Sequence, residues 1–358
     1  MSRVHQVVVA ASPGDAITNA ALDLRTGLRT EGRSELFAAY VDPALAGEVH
    51  PLAEFARLGA GADLLVVHLS IGDPQIAELL AHRPEPLAVV YHNMSPAEAF
   101  WPWDQGLARS LAEGRRELGS LADRVRLAVA VSAYNAAELA AMGYPRVEVS
   151  PLAVDPATLL GTDVDVGLAS ELAGLDGPRL LYVGQLLPHK RVDWLITAYH
   201  ALVTHLVPEA HLLLVGADRV PSYGHALRRL VAELALPRVR FTGPVSQEAL
   251  VTYFRYADAF VTASEHEGFC VPLLEAMAFG VPVLARAFAA VPDTLGGAGL
   301  LLGSGDGPLV GAEALNALID QPGLRADLVE GGRHRLEALD PDRARARMLS
   351  HVLGAARP

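Results

Sequence analysis

Short apolar runs alternate along the chain with longer stretches in which apolar positions recur every three or four residues. In the first half the short runs are Val4 to Ala10, Leu64 to His68, Ala88 to Tyr91 and Leu127 to Val131. Each has strand length and little polar interruption, which predicts strands buried on both faces. Ala16 to Arg29, Pro74 to Ala81 and Gly106 to Ala122 carry helical spacing, and the second of these opens on Asp73 as N-cap with Pro74 at the first helical position. The rhythm restarts after residue 176, with strands expected at Leu180 to Val183, Ala210 to Val215, Val239 to Phe241, Ala259 to Thr262 and Val281 to Ala285. Between them lie helical segments at Val192 to Val203, His225 to Leu234 and Gln247 to Tyr256. This alternation predicts an α/β chain with two parallel, doubly wound sheets, whose ligands sit at the carboxyl ends of the strands, between the domains.

At 358 residues the chain exceeds the roughly 250 to 300 at which one core stops growing. The expected division is an N-terminal domain over 1–160, a linker over 161–178 where periodicity weakens, a C-terminal domain over 179–338, and a last helical segment over 339–358. That last segment carries Arg343, Arg345 and Arg347 with acids nearby. It reads as a solvated helix that packs back on the N-terminal domain, the alternative being contact with an anionic membrane surface.

Composition narrows the function classes. A formal charge of −12 argues against a protein that coats nucleic acid. A single cysteine, Cys270, excludes an internal disulfide and a multi-cysteine zinc site, which fits a reducing compartment, the cytoplasm by default. The N-terminal apolar run is too short for a signal peptide, and no stretch of about 18 apolar residues occurs, so no transmembrane segment is expected. Oligomeric state is not readable.

The most informative segment is Ala263-Ser-Glu-His-Glu-Gly-Phe-Cys-Val-Pro-Leu-Leu-Glu-Ala-Met-Ala-Phe-Gly-Val-Pro-Val283. It follows a predicted strand and contains a helix from about Pro272 to Phe279, with Gly280 just past its end. Glu267 therefore falls in the loop and Glu275 on the helix, whose N-terminus offers backbone N–H groups and positive dipole to an anion such as a diphosphate. Glu275 shares that helix with apolar residues, where an unpaired carboxylate is costly. Ribose hydroxyls or a neighbouring arginine would each satisfy it.

This segment resembles the Glu, seven residues, Glu signature of retaining glycosyltransferases of family 4, in which Gly268, Phe269, Cys270 and Val271 occupy the interior positions. The resemblance implies two facing Rossmann-like domains, the GT-B architecture, and a nucleoside-diphosphate sugar as donor. It implies no cofactor and no metal. By resemblance Glu267 contacts the donor sugar and Glu275 the nucleotide ribose. Leu181 to Asp193 resembles the donor-phosphate segment, with Gly184 in its turn and Lys190 as the phosphate-binding lysine. Gln185 stands where the family usually has arginine, and Arg191 is the candidate substitute. Phe241-Thr-Gly-Pro-Val245 resembles the base-binding loop, which puts Gly243 and Val245 beside the donor.

In the first half, His92 lies just after a predicted strand and looks like the family's active-site histidine; a structural histidine is the alternative. Ser12-Pro-Gly-Asp-Ala16 resembles the first glycine-rich loop, which assigns Gly14 and Asp15 to the acceptor side; a simple strand-to-helix turn is equally compatible. The implied reaction moves a sugar to a hydroxyl on a glycan, a lipid-linked or a small-molecule acceptor. Leaving diphosphate is stabilised by Lys190 and the helix dipole, and Glu267 need not act as a nucleophile. The rival readings are a catalytically weak sugar-nucleotide-binding subunit of the same fold and a sugar-nucleotide epimerase.

Overall fold

The computed structural model describes residues Ser2 to Arg357. It forms two compact units, one of Met1–Glu98, Gln105–Ala153 and Leu339–Pro358, the other of Ala99–Asp104 and Val154–Ala338.

The first unit is a parallel sheet built from β1 (Ser2–Ala11), β2 (Leu36–Val41), β3 (Leu64–Leu69), β4 (Leu87–Tyr91), β5 (Val125–Ala130) and β6 (Val147–Val149), in spatial order β2-β1-β3-β4-β5-β6. The short pair His50–Pro51 extends the edge beyond β2. The order reverses between β1 and β3, so the connections leave those two strands toward opposite edges and open a crevice at their carboxyl ends. Helix α1 (Ala16–Glu31) begins where Asp15 accepts from the Thr18 amide at 2.8 Å. Leu24 and Leu28 on its buried face join Val4, Leu64, Val66, Ala88, Leu127 and Val129 in one core.

The second unit repeats the plan with β7 (Arg179–Val183), β8 (His211–Val215), β9 (Val239–Gly243), β10 (Ala259–Thr262), β11 (Val283–Arg286) and β12 (Leu300–Leu302), in order β9-β8-β7-β10-β11-β12, every pairing parallel. Here the reversal falls between β7 and β10. The loops leaving those strands are the two segments singled out in the sequence, Gly184 to Lys190 and Ala263 to Cys270.

Two boundaries differ from expectation. The stretch 161–178 does not run free between domains. It contains a helix, Val166–Ala173, capped by Asp165, with Leu172 fully buried and the Asp165 amide donating to Thr252 Oγ1 at 2.8 Å, all within the second unit. Two helical turns between Gly161 and Gly174 are too few to show a period, so the sequence reads as linker. Ala99–Asp104 also groups with the second unit, where Phe100 lies 5.5 Å from the His189 ring and Trp103 5.0 Å from Tyr223.

The last helix, Pro341–Ala356, belongs to the first unit. Val352 and Ala355 are buried in the α1 core, and Arg345 Nε donates to Asp23 at 2.8 Å. Arg343 and Arg347 remain exposed. Among the described residues no helix is long and apolar enough to cross a membrane.

Candidate active site

In the second unit the chain turns out of β7 at Gly184, whose amide donates to Val215 O at 2.9 Å, while the Leu186 amide donates to Ala217 O at 2.9 Å. The strands approach so closely here that a Cβ on Gly216 would sit 2.0 Å from the Gly184 carbonyl oxygen. Only glycine fits at Gly216, which lets the ends of β7 and β8 pack main chain against main chain. Gly216 also pairs with Gly243 at the end of β9, N to O 3.0 Å, which brings the loop carrying Val245 beside the first turn.

Pro188–Lys190 forms a single 3₁₀ turn, and Arg191 follows in the left-handed region with φ 50°. The His189 carbonyl accepts from the Glu265 amide at 2.9 Å, tying this turn to the loop after β10. That bond aligns the two loops, and the Lys190 ammonium meets Glu267 Oε1 at 2.5 Å, with side chains 20% and 9% exposed. Burial works against the charged form of Lys190, yet the fields of Glu267 and Cys270 outweigh it and its pKa is raised. The two residues assigned by resemblance to phosphate and sugar are therefore each other's partner in the free protein, which spacing in sequence does not reveal.

Glu275 sits on Val271–Ala278, a helix with no side-chain cap whose first residue is preceded by Cys270 at φ 66°. Leu273, Leu274, Ala276 and Met277 bury the inner face and leave Glu275 half-buried. Its carboxylate has no hydrogen-bond or ionic partner among the described residues, and burial pushes its pKa up to about 7. The neighbouring-arginine alternative is not realised. Gly268, Phe269 and Cys270 are buried, and the Phe269 carbonyl accepts from Thr294 Oγ1. Burial first, and the Glu267 carboxylate second, hold the Cys270 thiol well above its usual pKa. Val271 is half-buried at the helix start.

Gln185 is exposed at its loop, and its carbonyl accepts from the Tyr182 hydroxyl at 3.0 Å. Arg191 does not take over as a free cation. Its guanidinium is held by Glu265 and by Asp193 at 3.2 Å, and Glu265 also receives Arg286 Nη1 at 3.0 Å. Arg286 is 5% exposed and stacked over the Trp194 and Phe288 rings. The Arg191, Glu265 and Arg286 cluster is absent from the sequence reading. An arginine inside an otherwise apolar strand, as Arg286 is in Val-Leu-Ala-Arg, is the signal that could have exposed it.

His92, Gly14 and Asp15 belong to the first unit. Asp15 serves as the cap of α1, bonding both the amide and the hydroxyl of Thr18, so the turn reading describes what its carboxylate does in the free protein. Gly14 has φ 75° with no atom near its open side. His92 follows β4, its amide bonded to Leu69 O at 2.9 Å, and its ring bonds His68 at 2.9 Å. Burial lowers its pKa to about 4, so the imidazole is neutral near pH 7.

Residues 169–335 match the family model described as glycosyl transferases group 1. The chain carries a group 1 glycosyl transferase domain. A D-inositol 3-phosphate glycosyltransferase from Xylanimonas cellulosilytica is 27% identical over 97% of this chain and 84% of its own length. A GDP-mannose-dependent alpha-mannosyltransferase from Mycobacterium tuberculosis is 30% identical over 66% of this chain and 55% of that protein. The fold matches that of HepE from Anabaena, crystallised with UDP and glucose, at a TM-score of 0.78 and 16% identity over 98% of this chain and all of that one. The chain is thus a glycosyltransferase with two doubly wound units of the GT-B type, and the epimerase and binding-subunit readings are not favoured.

Proposed function

We propose that this glycosyltransferase takes a nucleoside-diphosphate sugar as donor, transfers the sugar to an acceptor hydroxyl with retention of configuration, and needs no metal. The observation that carries the donor assignment is the Lys190–Glu267 pair, which joins the loops after β7 and β10 where the strand order reverses, with Glu275 partnerless on the helix that follows the second loop. A nucleoside-diphosphate sugar supplies what each lacks. Its phosphates give Lys190 an anion, its sugar hydroxyls give Glu267 donors, and its ribose hydroxyls satisfy Glu275. The uncapped start of Val271–Ala278 adds backbone N–H groups toward the diphosphate, so negative charge that grows on the leaving group meets fixed positive partners.

Relatives that use GDP-mannose by name, and a structural neighbour holding UDP, make these the first donors to try. Retention follows from the resemblance around Glu267 and from the chemistry available there. A carboxylate already engaged by Lys190 is a poor nucleophile, which favours attack by the acceptor on the face the diphosphate leaves. His92 of the first unit serves the reacting sugar, and the acceptor is a glycan, a lipid-linked sugar or a small polyol.

Thermal unfolding with UDP, GDP, UDP-glucose and GDP-mannose, in the presence of EDTA, tests donor class and metal independence together. Stabilisation by a diphosphate that survives EDTA is expected. Product analysis by proton NMR then reads the anomeric configuration, and an inverted product would overturn retention.

A further inference from the structure

Gln6 on β1 and His68 on β3 are polar residues inside buried strands, at 0% and 2% exposure. A buried amide and a buried imidazole are costly unless bonded. Here the bonds form one chain with a fixed direction. Ala21 O can only accept, so the Gln6 amide nitrogen faces it at 3.1 Å. Gln6 Oε1 is then turned to His68 Nε2 at 2.9 Å and must receive its proton. A neutral His68 with its proton on Nε2 has a bare Nδ1, and that atom meets His92 Nε2 at 2.9 Å. His92 must therefore carry its proton on Nε2. Its Nδ1 is left with a lone pair, buried and without a protein partner.

The turn beyond His92 is held just as firmly. Asn93 takes φ 87° and donates to Asn135 at 2.7 Å, Asn135 donates to Tyr91 O at 3.3 Å, and the Tyr91 hydroxyl donates to Glu138 at 3.1 Å. The ring is thus fixed in orientation as well as in protonation. Burial, with the His92 ring as a second contribution, keeps His68 well below the usual imidazole pKa, so the neutral form on which this direction depends is the one present near pH 7.

We propose that Gln6 and His68 are positioning residues for glycosyl transfer: they hold His92 as the Nε2–H tautomer so that its Nδ1 accepts a hydrogen bond from a substrate hydroxyl. The unpartnered Nδ1 is the vacancy that hydroxyl fills. The use of this atom by a substrate rests on the glycosyl-transfer reading above; the tautomer itself does not.

Nitrogen-15 NMR of histidine-labelled protein tests the tautomer directly, with the His92 signals assigned through His92→Gln. The expected spectrum shows a protonated Nε2 and a bare Nδ1 at pH 7; a protonated Nδ1 overturns the proposal. Gln6→Leu and His68→Phe should each release His92 into mixed tautomers, and an unchanged His92 spectrum in a folded variant also overturns it. Gln6→Leu acts through two hydrogen bonds, leaves the His68 ring in place, and decides the matter if His68→Phe does not fold. Among UDP-glucose, GDP-mannose and D-inositol 3-phosphate, whichever stabilises the protein is added to the labelled sample. A moved Nδ1 signal with a sugar nucleotide places the hydroxyl on the donor, and one with the inositol phosphate places it on the acceptor. Stabilisation with no Nδ1 shift by either class refutes the contact. In turnover, the two variants should lower kcat about tenfold with KM for the donor within about twofold, a split that simple loss of packing does not produce. If no probe stabilises the protein, the donor reading is what has failed, and the tautomer result still decides the positioning role.

Discussion

Replacing Glu275 by glutamine should make the free protein more stable and the donor site worse. The carboxylate is half-buried without a partner, and its pKa stands at about 7 against an ordinary 4.5. A carboxyl whose pKa is raised by folding stabilises the fold while protonated, below pH 4.5, and loses that contribution as pH rises through about 7. The full shift corresponds to roughly 3 kcal/mol. Contact with solvent screens part of it, which leaves about 1 to 2 kcal/mol. Wild type should therefore weaken between pH 5 and pH 8 relative to Glu275→Gln, whose amide has no charge to desolvate. At pH 8 the variant should melt higher by about 3 to 6 °C for a unit of this size. Calorimetry of both proteins at half-unit steps from pH 5 to 8 measures the difference. With a nucleoside diphosphate present the order should reverse, because the amide binds two ribose hydroxyls less well than a carboxylate does, by about 1 to 3 kcal/mol. Equal melting of the two free proteins at pH 8 would refute the argument that the carboxylate is held there unsatisfied. Equal stabilisation by nucleotide would refute its assignment to the ribose.

Lys190→Met leaves Glu267 buried without its cation and should cost roughly 3 kcal/mol in chemical denaturation; adding Glu267→Gln should restore most of that stability but no turnover, and recovered turnover would remove both from the site. Gln185→Arg places a cation at the open turn, since Arg191 is already held by Asp193 and Glu265. Nucleoside-diphosphate affinity by calorimetric titration should tighten by about 1 to 3 kcal/mol and become more salt-sensitive, whereas flat affinity would mean that another cation serves the diphosphate. Asp15→Ala removes the cap of α1 and should cost about 1 kcal/mol of stability with turnover unchanged; a rise in acceptor KM or a fall in kcat would instead assign Asp15 to the acceptor.

Strand-helix alternation, the two-domain division and the segment from Glu267 to Glu275 were readable along the chain, because each is local. Buried parallel strands announce themselves as apolar runs. A helix opened by proline and closed by Gly280 announces its ends, and motif spacing places one carboxylate in the loop and one on the helix. Asp73 at the start of Pro74–Ala81 is a cap in the structure, as its neighbours predicted. The helix Val166–Ala173 was hidden because eight residues hold too few turns for a period to emerge.

What tertiary structure alone decided is which charged and polar groups meet. Lys190 and Glu267 are 77 residues apart and pair only because β7 and β10 lie side by side. Arg191 looked available as a spare cation, and the fold instead gives it Glu265, a residue 74 positions away. Gln6 and His68 fall inside the runs Val4 to Ala10 and Leu64 to His68 with nothing to mark them, and His92 stands out only by its place after a strand and by resemblance, yet β1, β3 and β4 are neighbours in the sheet and join the three in one directed chain of hydrogen bonds. The physical reason is common to all three. Apolar burial is nondirectional and leaves its trace in composition and period, whereas hydrogen bonds and ion pairs depend on distance and angle, which exist only once the strands are side by side.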